Sequence, residues 1–293
     1  MDDADLWRHW LADRHYSTAN GAQRDAAMLR RFQRHVIDGA NLDARDTVLD
    51  LGAGDGLIAF GAVPKCGPRG TVIFTDVSRD LLSEALSLAR RLGVRDHCRF
   101  LQTPAQDLGA IVDASVDAVT ARSVLIYLDD SAKERSIAEC HRVLRSGGRL
   151  SVLEPAHMFW ADVPIDRQTC LGYDAAPIAD LAAKVNDALG SPHDVWIDFE
   201  SSELFSACLE AGFEDVQVDL SARRHVERRA EPWEAYLDST PNPLARTLRE
   251  AMDDALTAEE RQRLTDHLRP RVESATEPRT AITAMVHLQA TRS

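Results

Sequence analysis

The sequence predicts an α/β fold with a mostly parallel sheet flanked by helices. Three observations carry that expectation. Short apolar runs bounded by turn residues recur through the chain, and amphipathic helical stripes lie between them. Strands alternating with helices form βαβ units, which cover both faces of a parallel sheet. The 293 residues are 44% hydrophobic and 28% charged, a globular composition with enough apolar surface for a real core.

The elements follow in order. Leu6, Trp7, Trp10 and Leu11 form one helical stripe and Ala22 to Val36 a second helix, joined by a polar, glycine-containing loop from Tyr16 to Ala22. Thr47 to Gly52 reads as the first buried strand; the chain then turns through Gly52-Ala-Gly-Asp-Gly56 into a helix from Leu57 to Val63, stopped by Pro64 and Gly67-Pro68. Thr71 to Thr75 is the second strand. From Ser78 to Leu92, the residues Leu81, Leu82, Ala85, Leu88, Ala89 and Leu92 share a helix face, with Ser78 as N-cap and Gly93 at C′. Strands near Arg99 to Gln102 and Val116 to Thr120, a helix from Ser131 to Leu144, a turn at Ser146-Gly-Gly148 and a strand from Arg149 to Glu154 repeat the rhythm. Between Pro155 and Phe199 the pattern weakens, as expected of an insertion. Glu203 to Ala211 resumes as a helix, Val216 to Leu220 and Ala281 to Ala290 are strands, and the charged helical stretch from Pro232 to Val272 is broken by Pro241 and Pro243. The expected organisation is a helical cap (1–40), a ligand-binding core (41–155), a lid insertion (156–199) and a return to the core (200–293) with a helical insertion at about 230–275.

With 34 Lys+Arg against 47 Asp+Glu, the net charge of −13 argues against a nucleic-acid partner, because backbone binding is driven by clustered cations. The basic group Arg223, Arg224, Arg228 and Arg229 reads as a solvated face. No window approaches the ~20 apolar residues of a membrane span, and the acidic start Met-Asp-Asp-Ala-Asp has no signal-peptide character, so a soluble cytoplasmic protein without a membrane partner is expected. Cys66, Cys98, Cys140, Cys170 and Cys208 are scattered, without a C-x-x-C pair, which suggests free thiols and neither disulfides nor a metal site.

Val48-Leu-Asp-Leu-Gly-Ala-Gly-Asp-Gly56 joins a strand to a helix through a glycine-rich loop. Such glycines let backbone approach a ligand closely, and the helix start offers free N–H groups. The third glycine of a G-x-G-x-x-G dinucleotide fingerprint falls at Leu57, one position after Gly56, and this disfavours a nicotinamide dinucleotide. Asp50 points the same way: a carboxylate there suits a cationic group such as an ammonium and not a pyrophosphate. Asp76, 20 residues after Gly56 at the end of the second strand, is placed to accept ribose hydroxyls of either ligand.

These motifs, with Phe74-Thr-Asp76, Val116-Asp-Ala-Val-Thr120 and Arg142-Val-Leu-Arg-Ser-Gly-Gly-Arg-Leu-Ser-Val-Leu-Glu154 at their spacings, resemble the class I S-adenosylmethionine-dependent methyltransferases of small molecules. The resemblance spans about Thr47 to Pro155. It implies a Rossmann-like, mostly parallel seven-stranded sheet with S-adenosyl-L-methionine as cofactor. It also implies that Gly52, Ala53 and Gly54 pack on the methionine and ribose portions, that Asp76 takes the ribose and that Val77 covers the adenine. Ala121 and Arg122 would face the methionine end, and Tyr16 would close over the cofactor. The loop Thr103-Pro-Ala-Gln-Asp107 departs from the family, with Pro104 where an aspartate would meet the adenine amine; Ala105 and Gln106, with Asp107, stand at that edge instead.

Methyl transfer from a sulfonium is a direct displacement, so alignment is essential and a base is needed only for some acceptors. Glu154, His157 and Tyr127 are the candidate bases. The DNA-adenine branch is set aside because Ala121-Arg-Ser-Val124 replaces its Asn/Asp-Pro-Pro-aromatic signature, and the arsenite branch because Ser123 stands where a cysteine would. A small organic acceptor under a helical lid is the expectation, with His157, Phe159, Trp160 and Tyr173 in the insertion and oxygen ahead of nitrogen or carbon as methylated atom; the aromatic residues equally suit a helical cap packing on its own core. An NAD(P)-dependent oxidoreductase and a non-catalytic S-adenosylmethionine-binding protein are the alternatives. The oligomeric state is not legible.

Overall fold

The computed structural model describes residues 19–156, 169–170, 173–189, 201–228, 230–238, 240, 245–274 and 277–293. The elements in chain order are α1 (Ala19–Gly39), β1 (Thr47–Leu51), α2 (Leu57–Cys66), β2 (Thr71–Asp76), α3 (Arg79–Arg91), β3 (Cys98–Gln102), β4 (Val116–Arg122), α4 (Asp130–Val143), β5 (Leu144–Pro155), β6 (Thr169–Cys170), β7 (Tyr173–Asp174), α5 (Ala179–Leu189), α6 (Ser201–Glu210), β8 (Phe213–Glu227), α7 (Trp233–Leu237), α8 (Leu248–Ala255), α9 (Ala258–Ser274) and β9 (Arg279–Arg292). The predicted stripe at Leu6 to Leu11 lies outside the described residues.

Local chemistry explains the boundaries. The Ser78 hydroxyl accepts from Leu81 N and starts α3, the Asp129 carboxylate accepts from Ala132 N and starts α4, and Thr247 with Glu250 closes a capping box on α8. The sequence predicts that α2 stops at Val63, yet Pro64 lies inside its last turn and the helix ends at Cys66. A proline this late removes one backbone bond, and the chain turns out only at Gly67. β5 also starts earlier than expected, at Leu144. Its partners jump from Val116↔Leu144 to Ala118↔Arg149, so the Ser146–Gly148 turn is absorbed as a bulge in the strand.

The seven strands are ordered β3-β2-β1-β4-β5-β9-β8. β3–β2, β2–β1, β1–β4 and β4–β5 pair in parallel, and β5–β9 antiparallel. This is the mostly parallel seven-stranded sheet with flanking helices that the sequence predicts. Strand order reverses between β1 and β4, which opens a crevice beyond their carboxyl ends where open α/β sheets take their ligands.

The chain divides into two compact units, residues 1–156, 199–221 and 285–293, and residues 157–198 and 222–284. In the first, Val36, Val48, Ile58, Ala62, Val72, Phe74, Leu82 and Ala118 form a closed core beneath the helices. Phe74, fully buried, meets Phe60 edge-on at 5.0 Å and Phe100 at 4.7 Å. Burying a side chain of that size contributes roughly 1.5–3 kcal/mol. The second unit has a core of its own, from Tyr173, Leu181, Val185, Trp233, Tyr236, Leu248, Met252, Leu264 and Leu268. Tyr173, which suits either an acceptor or a core of the insertion's own, is 2% exposed and sits edge-on to Tyr236 at 5.9 Å, so it packs this core. Among the described residues no helix is long and apolar enough to cross a membrane.

Candidate functional site

The glycine loop leaves the carboxyl end of β1 at the strand-order reversal. Gly52, Gly54 and Gly56 all have left-handed backbone, with φ of 60°, 54° and 86°. At Gly52 a side chain is excluded twice: by that φ, and because an added Cβ would lie 2.5 Å from Val124 Cγ2. The loop's amides are tied to the end of β2, Ala53 N to Thr75 O at 2.7 Å and Gly54 N to Asp76 Oδ2 at 2.8 Å.

Asp76 therefore joins the first two strand ends. Its other oxygen accepts from Ser78 N at 2.8 Å, and burial raises its carboxyl above the usual range while the amides of Ser78, Gly54 and Val77 oppose the rise. Gly54 N and Ser78 N take one oxygen each and Val77 N also bears on the group; a carboxylate has about four lone-pair sites, so capacity for a hydroxyl donor remains. Beside it Val77 is 46% exposed, an apolar side chain left in solvent next to the loop. The Gln102 amide donates to Val77 O at 3.0 Å and fixes this corner.

Asp50, expected to meet an ammonium, is held by the chain's own donors. It is 2% exposed; Oδ2 accepts from Ala59 N at 3.0 Å and Oδ1 from the Thr120 hydroxyl at 2.7 Å. Burial pushes its carboxyl up to about 7 against those donors and the nearby charge of Arg122. The Asp55 carboxylate takes Leu57 N at 3.1 Å. Two of the first amides of α2 are thus occupied by the chain's own carboxylates, where a dinucleotide fold would present them to a pyrophosphate.

Glu154, one of the three candidate bases, is likewise held by the chain's own donors. It has no exposed surface, and its oxygens receive Val124 N (3.0 Å), Leu125 N (3.1 Å) and Ile126 N (3.4 Å). Burial raises its carboxyl to about 7, against those three amides and the charge of Arg122. The bracket it forms has no signal in the sequence beyond an acidic residue at a strand end. Tyr127 is half-buried at the end of the short 3-10 turn Leu125–Tyr127, its amide donating to Val124 O at 3.2 Å. Ala121 is fully buried in β4 between Leu51 and Val152. Arg122, half-buried, is the cation that acts on both buried carboxylates.

At the third strand end, Thr103 N donates to Asp76 O at 3.0 Å, and Ala105 and Gln106 are half-buried in the loop that follows. The Asp107 carboxylate accepts from Gly109 N at 3.0 Å. Tyr16 and His157 lie outside the described residues. The structure thus brings Gly52, Ala53, Gly54, Asp76 and Val77 into one corner, with the segment after β4 braced against Gly52.

Residues 48–148 match the family model described as "Methyltransferase domain". The ubiquinone/menaquinone biosynthesis C-methyltransferase UbiE of Klebsiella pneumoniae is 27% identical over 194 residues, 64% of this chain and 74% of that one. An arsenite methyltransferase of Halobacterium salinarum is 29% identical over 167 residues, 55% of this chain and 41% of that one. Among solved structures, the YcgJ protein of a Bacillus species shares the fold at a TM-score of 0.55 and 18% identity, over 90% of this chain and 98% of that one. The glycine loop at the sheet's reversal, two α2 amides occupied by the chain's own carboxylates, and the domain match over the same residues agree: residues 48–148 form a methyltransferase domain of the class I, S-adenosylmethionine-dependent type.

Proposed function

We propose that the chain transfers the methyl group of S-adenosyl-L-methionine to a small organic acceptor, with the cofactor held by Gly52, Ala53, Gly54, Asp76 and Val77. The observation that carries this is the corner itself: a loop with no room for a side chain at Gly52, tied to a carboxylate that retains acceptor capacity and flanked by an exposed valine. The residues suit the group. Gly52 admits close backbone approach, Asp76 accepts the ribose hydroxyls, Val77 covers the adenine, and Ala105 with Gln106 borders the ring. The cofactor supplies an electrophilic methyl on a sulfonium; the protein's part is to align the acceptor with it and to keep water away.

Glu154, sealed in the protein, is not assigned the proton. Tyr127 and His157 keep that role in the proposal, for acceptors that must lose one. Oxygen as the methylated atom, expected from the sequence, has no support in the relatives' names, since UbiE is named a C-methyltransferase. An arsenic substrate is disfavoured by Ser123 after β4 and by the burial of Cys66, Cys98, Cys140 and Cys208.

The test is methyl incorporation from labelled S-adenosylmethionine across a panel of phenols, quinols, amines and activated carbon acids, with product NMR locating the new methyl. Stoichiometric S-adenosylhomocysteine formation with one class supports the proposal. Cofactor binding without transfer to any small molecule, together with transfer to a protein or nucleic acid, would contradict it.

A further inference from the structure

We propose that Glu154 is a positioning residue for the cofactor: it fastens the segment after β4 so that Val124 is held against Gly52, and through that contact it sets cofactor affinity. The inference rests on the reading of the Gly52–Gly56 loop as the cofactor site.

Four consecutive amides after β4 are received by two consecutive residues of β5. Ser123 N donates to Leu153 O at 3.0 Å, Val124 N and Leu125 N to Glu154 Oε1 at 3.0 and 3.1 Å, and Ile126 N to Oε2 at 3.4 Å. Converging backbone N–H groups form a nest of the kind that elsewhere binds phosphate. Here the chain's own carboxylate fills it. Ser123 enters the turn at φ 54°, a left-handed conformation that a side-chain-bearing residue keeps only when its surroundings over-determine it. The bonds on either side supply that constraint.

The product of the constraint is the place of Val124. Its Cγ2 stands 2.5 Å from where a Cβ on residue 52 would be, so the two segments meet without an intervening side chain. Both are at the strand-order reversal, where β1 and β4 end side by side with Leu51 paired to Ala121. A loop that must present its backbone to a ligand loses less freedom on binding if a wall already defines its shape. Glu154 makes that wall from the far side, without touching ligand. A glutamine would retain one acceptor oxygen, but its NH₂ would face a backbone N–H, so charge and acceptor count both matter.

The experiment measures S-adenosylhomocysteine binding by calorimetry for Glu154→Gln, Val124→Ala, the double variant and Asp76→Ala, with near-UV circular dichroism as the folding check. Glu154→Gln should weaken binding about tenfold, in line with loss of charge-assisted hydrogen bonds, and Val124→Ala comparably. Because both act through one contact, adding Glu154→Gln to Val124→Ala should cost about threefold or less. Full additivity would overturn the proposal, since a general structural role predicts independent losses. Wild-type affinity in Glu154→Gln beside weakened Asp76→Ala would overturn it too, while leaving the cofactor site in place. Wild-type affinity in both would show that the loop assignment itself is wrong. If Glu154→Gln does not fold, Val124→Ala decides: wild-type affinity there overturns the proposal.

Discussion

Val124 occupies the space that any side chain on Gly52 would need, its Cγ2 being 2.5 Å from the position of an added Cβ. Gly52→Ala therefore meets a clash as well as an unfavourable φ of +60°, for which an alanine costs about 1–2 kcal/mol. The expected outcome is a folded protein with S-adenosylhomocysteine affinity lowered by more than about tenfold. Adding Val124→Ala should not restore it fully, because the backbone strain remains. Calorimetry on the two variants checks this, and wild-type affinity in Gly52→Ala would show that the loop does not approach the cofactor.

Asp76 holds the glycine loop through Gly54 N and retains lone pairs beyond that bond. Asp76→Ala should weaken cofactor binding by about 1–3 kcal/mol, the range for loss of hydrogen bonds to a charged group. Asp76→Asn keeps one acceptor oxygen and should fall between. Equal affinity for all three proteins would displace the ribose site.

Asp50 has a folded carboxyl near 7 against an ordinary 3.8, and Glu154 near 7 against 4.5, both from burial. A raised carboxylate binds more protons folded than unfolded, so its contribution favours the folded state below the ordinary value and declines as pH rises through about 4 to 7. Asp50→Asn should flatten that part of the curve, measured by urea unfolding at pH 4.5 to 7.5. An identical slope in wild type and variant would mean that Asp50 does not titrate in this window.

His287 acts in the opposite direction. It is buried beside Ser151 at 2.9 Å with His35 edge-on at 4.4 Å, and burial, with His35, lowers its value to about 4. A depressed histidine favours the folded state fully above its ordinary 6.5, and that advantage is lost as pH falls toward 4. His287→Gln should reduce the acid sensitivity of unfolding between pH 6 and 4, read by the same titration. The packing is tight there: a Cβ on Gly39 would stand 2.5 Å from His287 Cε1 and 2.8 Å from Ser151 Oγ. Gly39→Ala should accordingly destabilise the first unit by about 1–3 kcal/mol, as overpacking does.

The parallel core was legible because its strands are short apolar runs whose turn residues have no other use. The tight turn at Gly52 and the place of Asp76 beside it were legible because a glycine-rich turn after one strand and an acidic residue at the end of the next stand at fixed places on the chain. The burial of Asp50 and Glu154 against backbone amides was not legible, for one reason. An acidic residue at a strand end looks alike in sequence whether it faces a ligand or backbone amides, and Ala59 N and Val124 N are decided by tertiary contact. Pro64 was misread because its consequence depends on how many turns precede it. Tyr173 packs in the core of the second unit, which periodicity cannot separate from a ligand pocket.

The central claim is that the corner made by Gly52, Gly54 and Asp76 holds S-adenosylmethionine. The most direct measurement is calorimetric titration of the wild-type chain and Asp76→Ala with S-adenosylhomocysteine and, in parallel, NAD. Micromolar binding of S-adenosylhomocysteine to the wild type, weakened in Asp76→Ala, with no heat from NAD, is the predicted result. Binding of NAD alone, or S-adenosylhomocysteine affinity untouched by Asp76→Ala, would contradict it.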